Sequence, residues 1–393
     1  MRRVPIVERG DWRARAVDSG FRFHTIDGER YWDERAYYAF TLRQIEHDLE
    51  DPSAEMHQMA MALVDEIAGS DALMQRLAIP DAFRDWIADS WRRRDGHLYG
   101  RLDFAYDGHG PAKLYELNYD TPTSLFEAAF FQWQWLEDQR ETGRLPASAD
   151  QFNAIHEALV ERFGELSLQL PPPLAFAAVR ASTEDQGTVE YLRDCAAQAG
   201  LHGAPLAIED IGLSEDGRYT DTDDIVIGSL FKLYPLEDLF ADDFGRALPG
   251  SGLRLLEPPW KALLSNKGVL PLLWERHRGH PNLLPAEFDD GSALPAGWVR
   301  KPLHSREGAN VAMHMADGRW LESEGPYQGP NIRQALHPLP CFEGHYPMVG
   351  SWIVGDTACG IGIREDDSPI TRDSARFVPH AIVDEHAPSV LYA

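Results

Sequence analysis

Residues 101–124 read RLDFAYDGHGPAKLYELNYDTPTS. Two runs rich in aromatic and aliphatic residues flank a turn that holds Gly and Pro, which is the pattern of a β-hairpin. Successive side chains of a strand point to opposite faces. Arg101, Asp103 and Ala105 therefore share one face, and Leu102, Phe104 and Tyr106 the other. On the return strand Leu114, Glu116 and Asn118 lie opposite Tyr115 and Leu117. Pairing Tyr106 with Lys113 sets Asp103 against Glu116 and Arg101 against Asn118, and puts the apolar set on the far face. Burial of one face is what normally selects a register. Two carboxylates facing each other roughly 5 Å apart at Cβ repel, so a cation must offset them. Arg101 could do so as an ion pair on a solvated face. A magnesium ion could also do so, because Mg²⁺ takes one or two carboxylates together with phosphate oxygens and water.

The rest of the chain narrows the choice of partners. Its 393 residues allow one large multi-lobed unit or two to three domains, and 44% hydrophobic residues supply a sizeable core. The formal net charge of −26 argues against a nucleic-acid partner and is permissive toward a cationic substrate such as a polyamine. No apolar run approaches the roughly 20 residues of a membrane span. The start, MRRVPIVERGDW, lacks the apolar stretch of a secretory signal. Cys195, Cys341 and Cys359 are odd in number and far apart, which suits a reduced cytoplasm better than a disulfide framework.

Apolar spacing predicts helices over 31–94, with a break at Pro52 and Ser53. Further helices are expected in SLFEAAFFQWQWLED and in RLPASADQFNAIHEALVERFGEL, the latter capped by Ser148 or Asp150. A β-α-β-β rhythm over 171–235 suggests an α/β lobe. Beyond 250, a turn leads into a helix and then into strands of an antiparallel sheet.

A nucleotide binder needs cations for phosphates and a backbone that approaches closely. VRKPLHSREGANV supplies a strand-borne Lys301, then a loop with Arg306 and Gly308 that can fold over a triphosphate. PPWKALLSNKGVLPLLW adds Lys261 and Lys267. A Walker A loop is absent, and CGIGIRED lacks the helix pattern that follows a dinucleotide fingerprint.

Five motif-bearing segments recur in a recognisable order: GRLDFAYDG with KLYELNYDTPTSLFEA, IGSLFKLYPLED, LEPPWKALLSNKGVLPLLW, WVRKPLHSREGANV and GSWIVGDTACGIGIREDDSPITRDSARFVPH. Together they resemble the glutathionylspermidine synthase family of ATP-grasp ligases. More narrowly they look like its bacterial synthetase-only members, provisionally described as acid–amine ligases. The resemblance runs from about residue 30 to the end.

It implies a mixed α+β and α/β fold. An ATP-grasp-type core of permuted order, built from antiparallel sheets and helices, is joined by a small α/β pre-ATP-grasp-like lobe. The expected division is 1–170 (helices and the hairpin of the core), 171–250 (substrate lobe) and 251–393 (nucleotide lobe with a lid loop). It also implies that Asp103, Glu116 and Asn118 bind Mg²⁺ and that Arg101 steadies the phosphorylated intermediate. Thr121 and Thr123 would place hydroxyls on the acid substrate. Lys261 and Lys301 would hold ATP phosphates, and Arg306 and Gly308 would close over them. Gln334 would lie in the strand passing the adenine, and Arg364 would grip a peptide substrate. The expected activity is ATP-dependent formation of an amide through an acyl phosphate, joining a peptide or amino acid such as glutathione to an amine or polyamine. The alternative is a nucleotide-binding regulatory protein on the same scaffold. Two departures stand out. The best-known members carry an amidase ahead of the synthetase, whereas residue 1 here stands at the synthetase start, so hydrolysis of the product is not expected. PYQGPNIRQALHPLP also sets a Gly-Pro where an unbroken strand is expected beside Gln334.

Overall fold

In the computed structural model, which describes residues 1–26 and 28–383, the hairpin forms from strands Tyr99–Ala105 and Lys113–Asn118. It occupies one edge of a five-stranded antiparallel sheet. Tyr99–Ala105 pairs on its other side with Tyr346–Val354, followed by Thr357–Asp366 and Arg376–Val378. The polar pairs fall as the alternation predicts, Arg101 against Asn118 and Asp103 against Glu116.

Toward the turn the register departs from expectation. A bulge after Asp103 sets Phe104 against Leu114 and Ala105 against Lys113, leaving Tyr115 as the extra residue. Leu114 consequently joins Leu102, Phe104 and Leu117 in the core, while Tyr115 turns to the polar side, where its hydroxyl donates to the His337 carbonyl. The exchange has a simple physical reason. Leucine buries without a polar group, whereas a phenol needs a partner.

A second sheet is parallel, in the order Arg254–Leu256, Ser229–Leu233, Leu174–Ala178 and Gly203–Ala207. The helix Thr183–Gln198 makes the crossover, capped by the Ser182 hydroxyl, which accepts from Asp185 N. This is the α/β unit that the rhythm of 171–235 indicates. A third sheet, antiparallel, runs Ala286–Phe288, Asn331–Ala335, Trp298–Pro302, Ala312–His314 and Trp320–Glu322. The Gly329-Pro330 pair precedes the strand Asn331–Ala335 and does not interrupt it.

The expected helix over the first residues of 31–94 is corrected. Ala36–Phe40 is the central strand of a three-stranded sheet with Arg2–Pro5 and His380–Ile382, and all five of its residues are buried. A continuous buried apolar run has no face, so periodicity cannot separate strand from helix. The helical run that follows starts at a Thr41–Gln44 capping box and passes Pro52 without a break. A wide π turn at Glu46–Glu50 precedes Pro52, which sits in the first turn of Asp51–Ala68, where its missing N–H costs least. Helix Ile155–Leu166 begins at Ala154 with no side-chain cap. Asp150, expected as a cap, instead exchanges backbone hydrogen bonds with Ile382. No helix among the described residues is long and apolar enough to cross a membrane.

Candidate functional site

The hairpin sheet and the third sheet meet at the bulge. Lys301 Nζ donates to the Tyr115 carbonyl (3.3 Å) and Gln334 Nε2 to the Leu114 carbonyl (3.2 Å). The bulge therefore turns two main-chain acceptors outward to dock a neighbouring sheet. Between the sheets lies a cavity of about 230 Å³. Every residue singled out in the sequence lines it except Lys261: Arg101, Asp103, Glu116 and Asn118 from the hairpin, Thr121 and Thr123 just after it, Lys301 and Gln334 from the third sheet, Arg306 and Gly308 from the loop, and Arg364.

The hairpin's polar face is one network. Arg101 grips Asp103 with two hydrogen bonds, Nε to Oδ1 at 2.7 Å and Nη2 to Oδ2 at 3.0 Å, and donates from Nη1 to the Thr123 carbonyl at 2.6 Å. Asn118 Nδ2 donates to Asp103 Oδ2 at 2.8 Å and lies 3.5 Å from Glu116 Oε1. Lys267 Nζ stands 3.1 Å from Glu116 Oε2. Burial opposes ionisation of Glu116, but Lys267, Lys301 and Arg101 outweigh it and hold the carboxyl down at about 2. Burial brings the Lys301 ammonium down to about 8 against the attraction of Glu116. Its Nζ donates to Gln334 Oε1 at 2.8 Å and lies over the Tyr115 ring.

The donor set fits magnesium. Two carboxylates facing each other across the strand pair, with one amide oxygen two residues along from Glu116, match an ion that completes its shell with phosphate oxygens and water. Asn118 would present Oδ1 rather than Nδ2, a rotation of its amide. Among the described residues no group of three or more His, Cys, Asp or Glu side chains could hold a metal without such an amide.

Lys261 is a correction. It is fully buried away from the cavity, 3.0 Å from the equally buried Glu257. Its Nζ donates to the Tyr99 carbonyl at 2.7 Å and lies over the Tyr119 ring. Glu257 in turn accepts from the Leu98 and Tyr99 amides at 3.0 and 3.1 Å. The pair pins the first strand of the hairpin. The lysine that reaches the cavity from this segment is Lys267, six residues on, whose Nζ also donates to the Ser305 carbonyl at the root of the loop.

The loop is held over the cavity. Glu307, Gly308 and Asn310 have φ of +53°, +67° and +55°. At Gly308 glycine is required twice over, since a Cβ would also lie 2.6 Å from the Thr371 carbonyl oxygen. Arg306 donates from Nη1 to Thr121 Oγ1 and from Nη2 to Glu237 Oε1, both at 2.7 Å.

A third set of groups was missed in the sequence. Glu127 is fully buried, and among the described residues neither of its oxygens is within hydrogen-bond geometry of a donor. Burial raises its carboxyl to about 7 against the pull of Tyr31, Arg364 and Arg101. Glu184 is raised to about 8, by burial first and then by the charge of Glu127, with Arg364 opposing. Asp185, beside it, lines the cavity and is raised by burial. The charge of Arg364 acts on both glutamates, and its Nη2 donates to the Arg372 carbonyl at 3.0 Å. The one available signal was the lone charge of Glu127 inside the apolar run LFEAAFF.

A family model described as glutathionylspermidine synthase preATP-grasp matches residues 3–383. A Haemophilus influenzae protein that bears the provisional name acid–amine ligase is 41% identical over 392 residues, covering 95% of this chain and 98% of its own. The trypanothione synthetase of Crithidia fasciculata is 27% identical across 81% of this chain, and the bifunctional glutathionylspermidine synthetase/amidase of Escherichia coli is 24% identical across 89%. The chain spans 52% and 60% of the length of these two relatives. A solved structure of a glutathione synthetase-like effector from Globodera pallida superposes with a TM-score of 0.59 at 11% identity, covering 97% of this chain and 99% of that one, which is a likeness of fold. The chain belongs to the glutathionylspermidine synthase family.

Proposed function

We propose that the chain is an ATP-dependent ligase that joins a carboxylic acid to an amine through an acyl phosphate. The observation that carries this reading is the convergence of Asp103, Glu116 and Asn118 with Lys267 and Lys301 in one cavity beside Arg101. The scaffold is read as an ATP-grasp fold of permuted order, with 171–250 as its substrate lobe. Cytoplasm is the proposed compartment, since all three cysteines are free thiols.

Amide formation at neutral pH needs an activated carboxyl, and the protein's part is positioning and charge neutralisation. Lys267 and Lys301 face the phosphates. An incoming phosphate favours the ammonium form of Lys301, which burial otherwise discourages. The apolar end of the cavity, at Val299, Met313 and Leu336, suits a purine. Magnesium held by Asp103, Glu116 and Asn118 would supply charge neutralisation at the phosphate oxygens. Thr121 and Thr123 orient the acid. Arg101, fixed on Asp103 and on the Thr123 carbonyl, stands where it can stabilise the anion of the acyl phosphate and of the tetrahedral species. The amine arrives protonated and must lose a proton. Glu127 and Glu184, with carboxyls raised toward neutrality, can accept it at working pH. Arg364, which lines the cavity, meets the carboxylate of a peptide acid. The names of the relatives point to glutathione and spermidine as first candidates.

The test is ATP turnover with pooled acids and amines, followed by mass spectrometry of the products. A condensed acid–amine product and stoichiometric ADP are expected. ATP binding without acid-stimulated turnover in any pool would assign the chain to nucleotide-dependent regulation instead.

A further inference from the structure

The cavity leaves one strong contact unexplained. Arg306 reaches out of the loop and binds Glu237, a residue that does not line the cavity and belongs to a different part of the fold. Glu237 lies in the first turn of helix Leu236–Ala241, which follows the parallel-sheet strand Ser229–Leu233. That helix start is fixed to the hairpin. The Leu236 amide donates to Asp120 Oδ2 at 2.7 Å, and the other oxygen of Asp120 accepts from the buried Lys232. Asp120 comes two residues after Asn118. The carboxylate of Glu237 is thus placed by the same strand end that carries the proposed magnesium ligands.

We propose that Glu237 is a positioning residue for the lid, a latch in the substrate lobe that holds the Arg306 guanidinium over Thr121 before nucleotide and acid arrive. This deepens the ligase reading and rests on it for the role of Arg306 at the phosphates. The guanidinium has five N–H donors, and the contacts to Thr121 and Glu237 use one on each Nη. Among the described residues the remaining donors have no partner and can meet a phosphate oxygen, so the latch need not open for Arg306 to work. A lid arginine without a partner would sample many rotamers, and a fixed carboxylate removes that cost from the closing step. Lys267 holds the loop's root through the Ser305 carbonyl, and Ser323 and Tyr327 hold Gly308 and Asn310 further along, which leaves Glu237 as the charged contact that fixes the Arg306 side chain itself. Burial opposes the charge on Glu237, yet Arg306 and His304 keep its carboxyl below the ordinary range, so the latch stays ionised. Behind it lies a hollow of about 210 Å³, lined by Phe240, Ile79 and His304 as well as Glu237, which leaves the carboxylate room to follow the lid.

The geometry has a functional corollary. Arg306 joins the acid side (Thr121) to the substrate lobe (Glu237) and the nucleotide lobe (its own loop). Acid and ATP should each bind more tightly in the presence of the other, and that coupling should run through Glu237.

The experiment uses Glu237→Gln, Arg306→Ala and the double variant, each in the full chain. Limited proteolysis of the free protein near Arg306 reads the latch directly. Glu237→Gln is expected to speed cleavage at least about five-fold and to raise the KM for ATP about ten-fold with a smaller change in kcat, the scale of one charge-assisted hydrogen bond. In the Arg306→Ala background the same substitution is expected to add nothing to either. A role confined to folding would lower the melting temperature and leave the two substitutions additive. Wild-type cleavage of Glu237→Gln, or additive effects with Arg306→Ala, overturns the proposal. Should Glu237→Gln fold poorly, Glu237→Asp keeps the charge at the helix start, withdraws it by one methylene, and is expected to move cleavage in the same direction. Absence of turnover in the wild-type protein would sink the ligase reading, while the cleavage rates would still judge the latch.

Discussion

Replacing Lys261 by Met should unsettle the fold and leave the nucleotide site intact. Lys261 and Glu257 are both 0% exposed and 3.0 Å apart. Removing the ammonium loses the hydrogen bond to the Tyr99 carbonyl and strands Glu257 as a buried charge supported, among the described residues, by the Leu98 and Tyr99 amides. Breaking one side of such a pair costs about 3–5 kcal/mol, a large share of the ~5–15 kcal/mol that holds a folded protein together. Divided by a urea m value of about 2–3 kcal/mol/M, that loss moves the denaturation midpoint down by roughly 1–2.5 M. The combined change, Lys261→Met with Glu257→Gln, removes both charges and keeps an acceptor for the two amides. It should recover most of the lost stability, because an uncharged pair of similar volume carries no desolvation penalty. Urea denaturation followed by tryptophan fluorescence gives the four corners of the cycle, and ATP titration of the double variant completes it. The double variant is expected to bind ATP like the wild type. A Lys261→Met protein with wild-type stability and no ATP binding would refute the structural assignment and return Lys261 to the phosphates.

Lys267→Ala should behave in the opposite way. Its Nζ meets Glu116 at the cavity wall, so the KM for ATP is expected to rise at least about ten-fold while the urea midpoint shifts little. The pH profile of kcat/KM should have a rising limb between about pH 6 and 8, where Glu127 (about 7) and Glu184 (about 8) become ionised and able to accept a proton, and Glu184→Gln should flatten it. Stability should run the other way. A carboxyl raised in the folded protein favours folding at low pH and loses that contribution as pH climbs through the raised value, so Glu127→Gln should gain stability over wild type most clearly above about pH 8.

The polar face of the hairpin was legible because strand periodicity is local. Alternation alone set Asp103 against Glu116 and Arg101 against Asn118. The bulge at Tyr115 was not, since it answers to Gln334 and Lys301 on another sheet. The same division of labour explains the lysines. Lys261 and Lys267 stand in one short segment with similar neighbours, and only the packing of Glu257 beneath one and Glu116 beside the other separates them. Burial of PWKAL among Pro, Trp and Leu was a hint toward a core position for Lys261. Ala36–Phe40 misled because its burial on both faces erased the pattern that periodicity reads. Glu184 and Glu237 carry no sequence signature at all, and Glu127 offers only its lone charge inside an apolar run. A carboxylate on a helix is ordinary until tertiary contacts bury it or hand it an arginine.

The strand that bears Arg101 and Asp103 has one neighbour close in sequence and one very far away. Gly350 pairs with Asp103 and Trp352 with Arg101. During synthesis the return strand Lys113–Asn118 is available almost at once, but the other side of the platform does not exist until the ribosome has added some 250 further residues. Until then Tyr99–Ala105 is an open edge with unpaired amides and a pair of facing carboxylates. The acidic hairpin then serves a second purpose. Charge on an exposed edge discourages pairing with other chains, so the groups proposed to gather the reactants would also guard the nascent protein from aggregation while it waits for its last sheet partner.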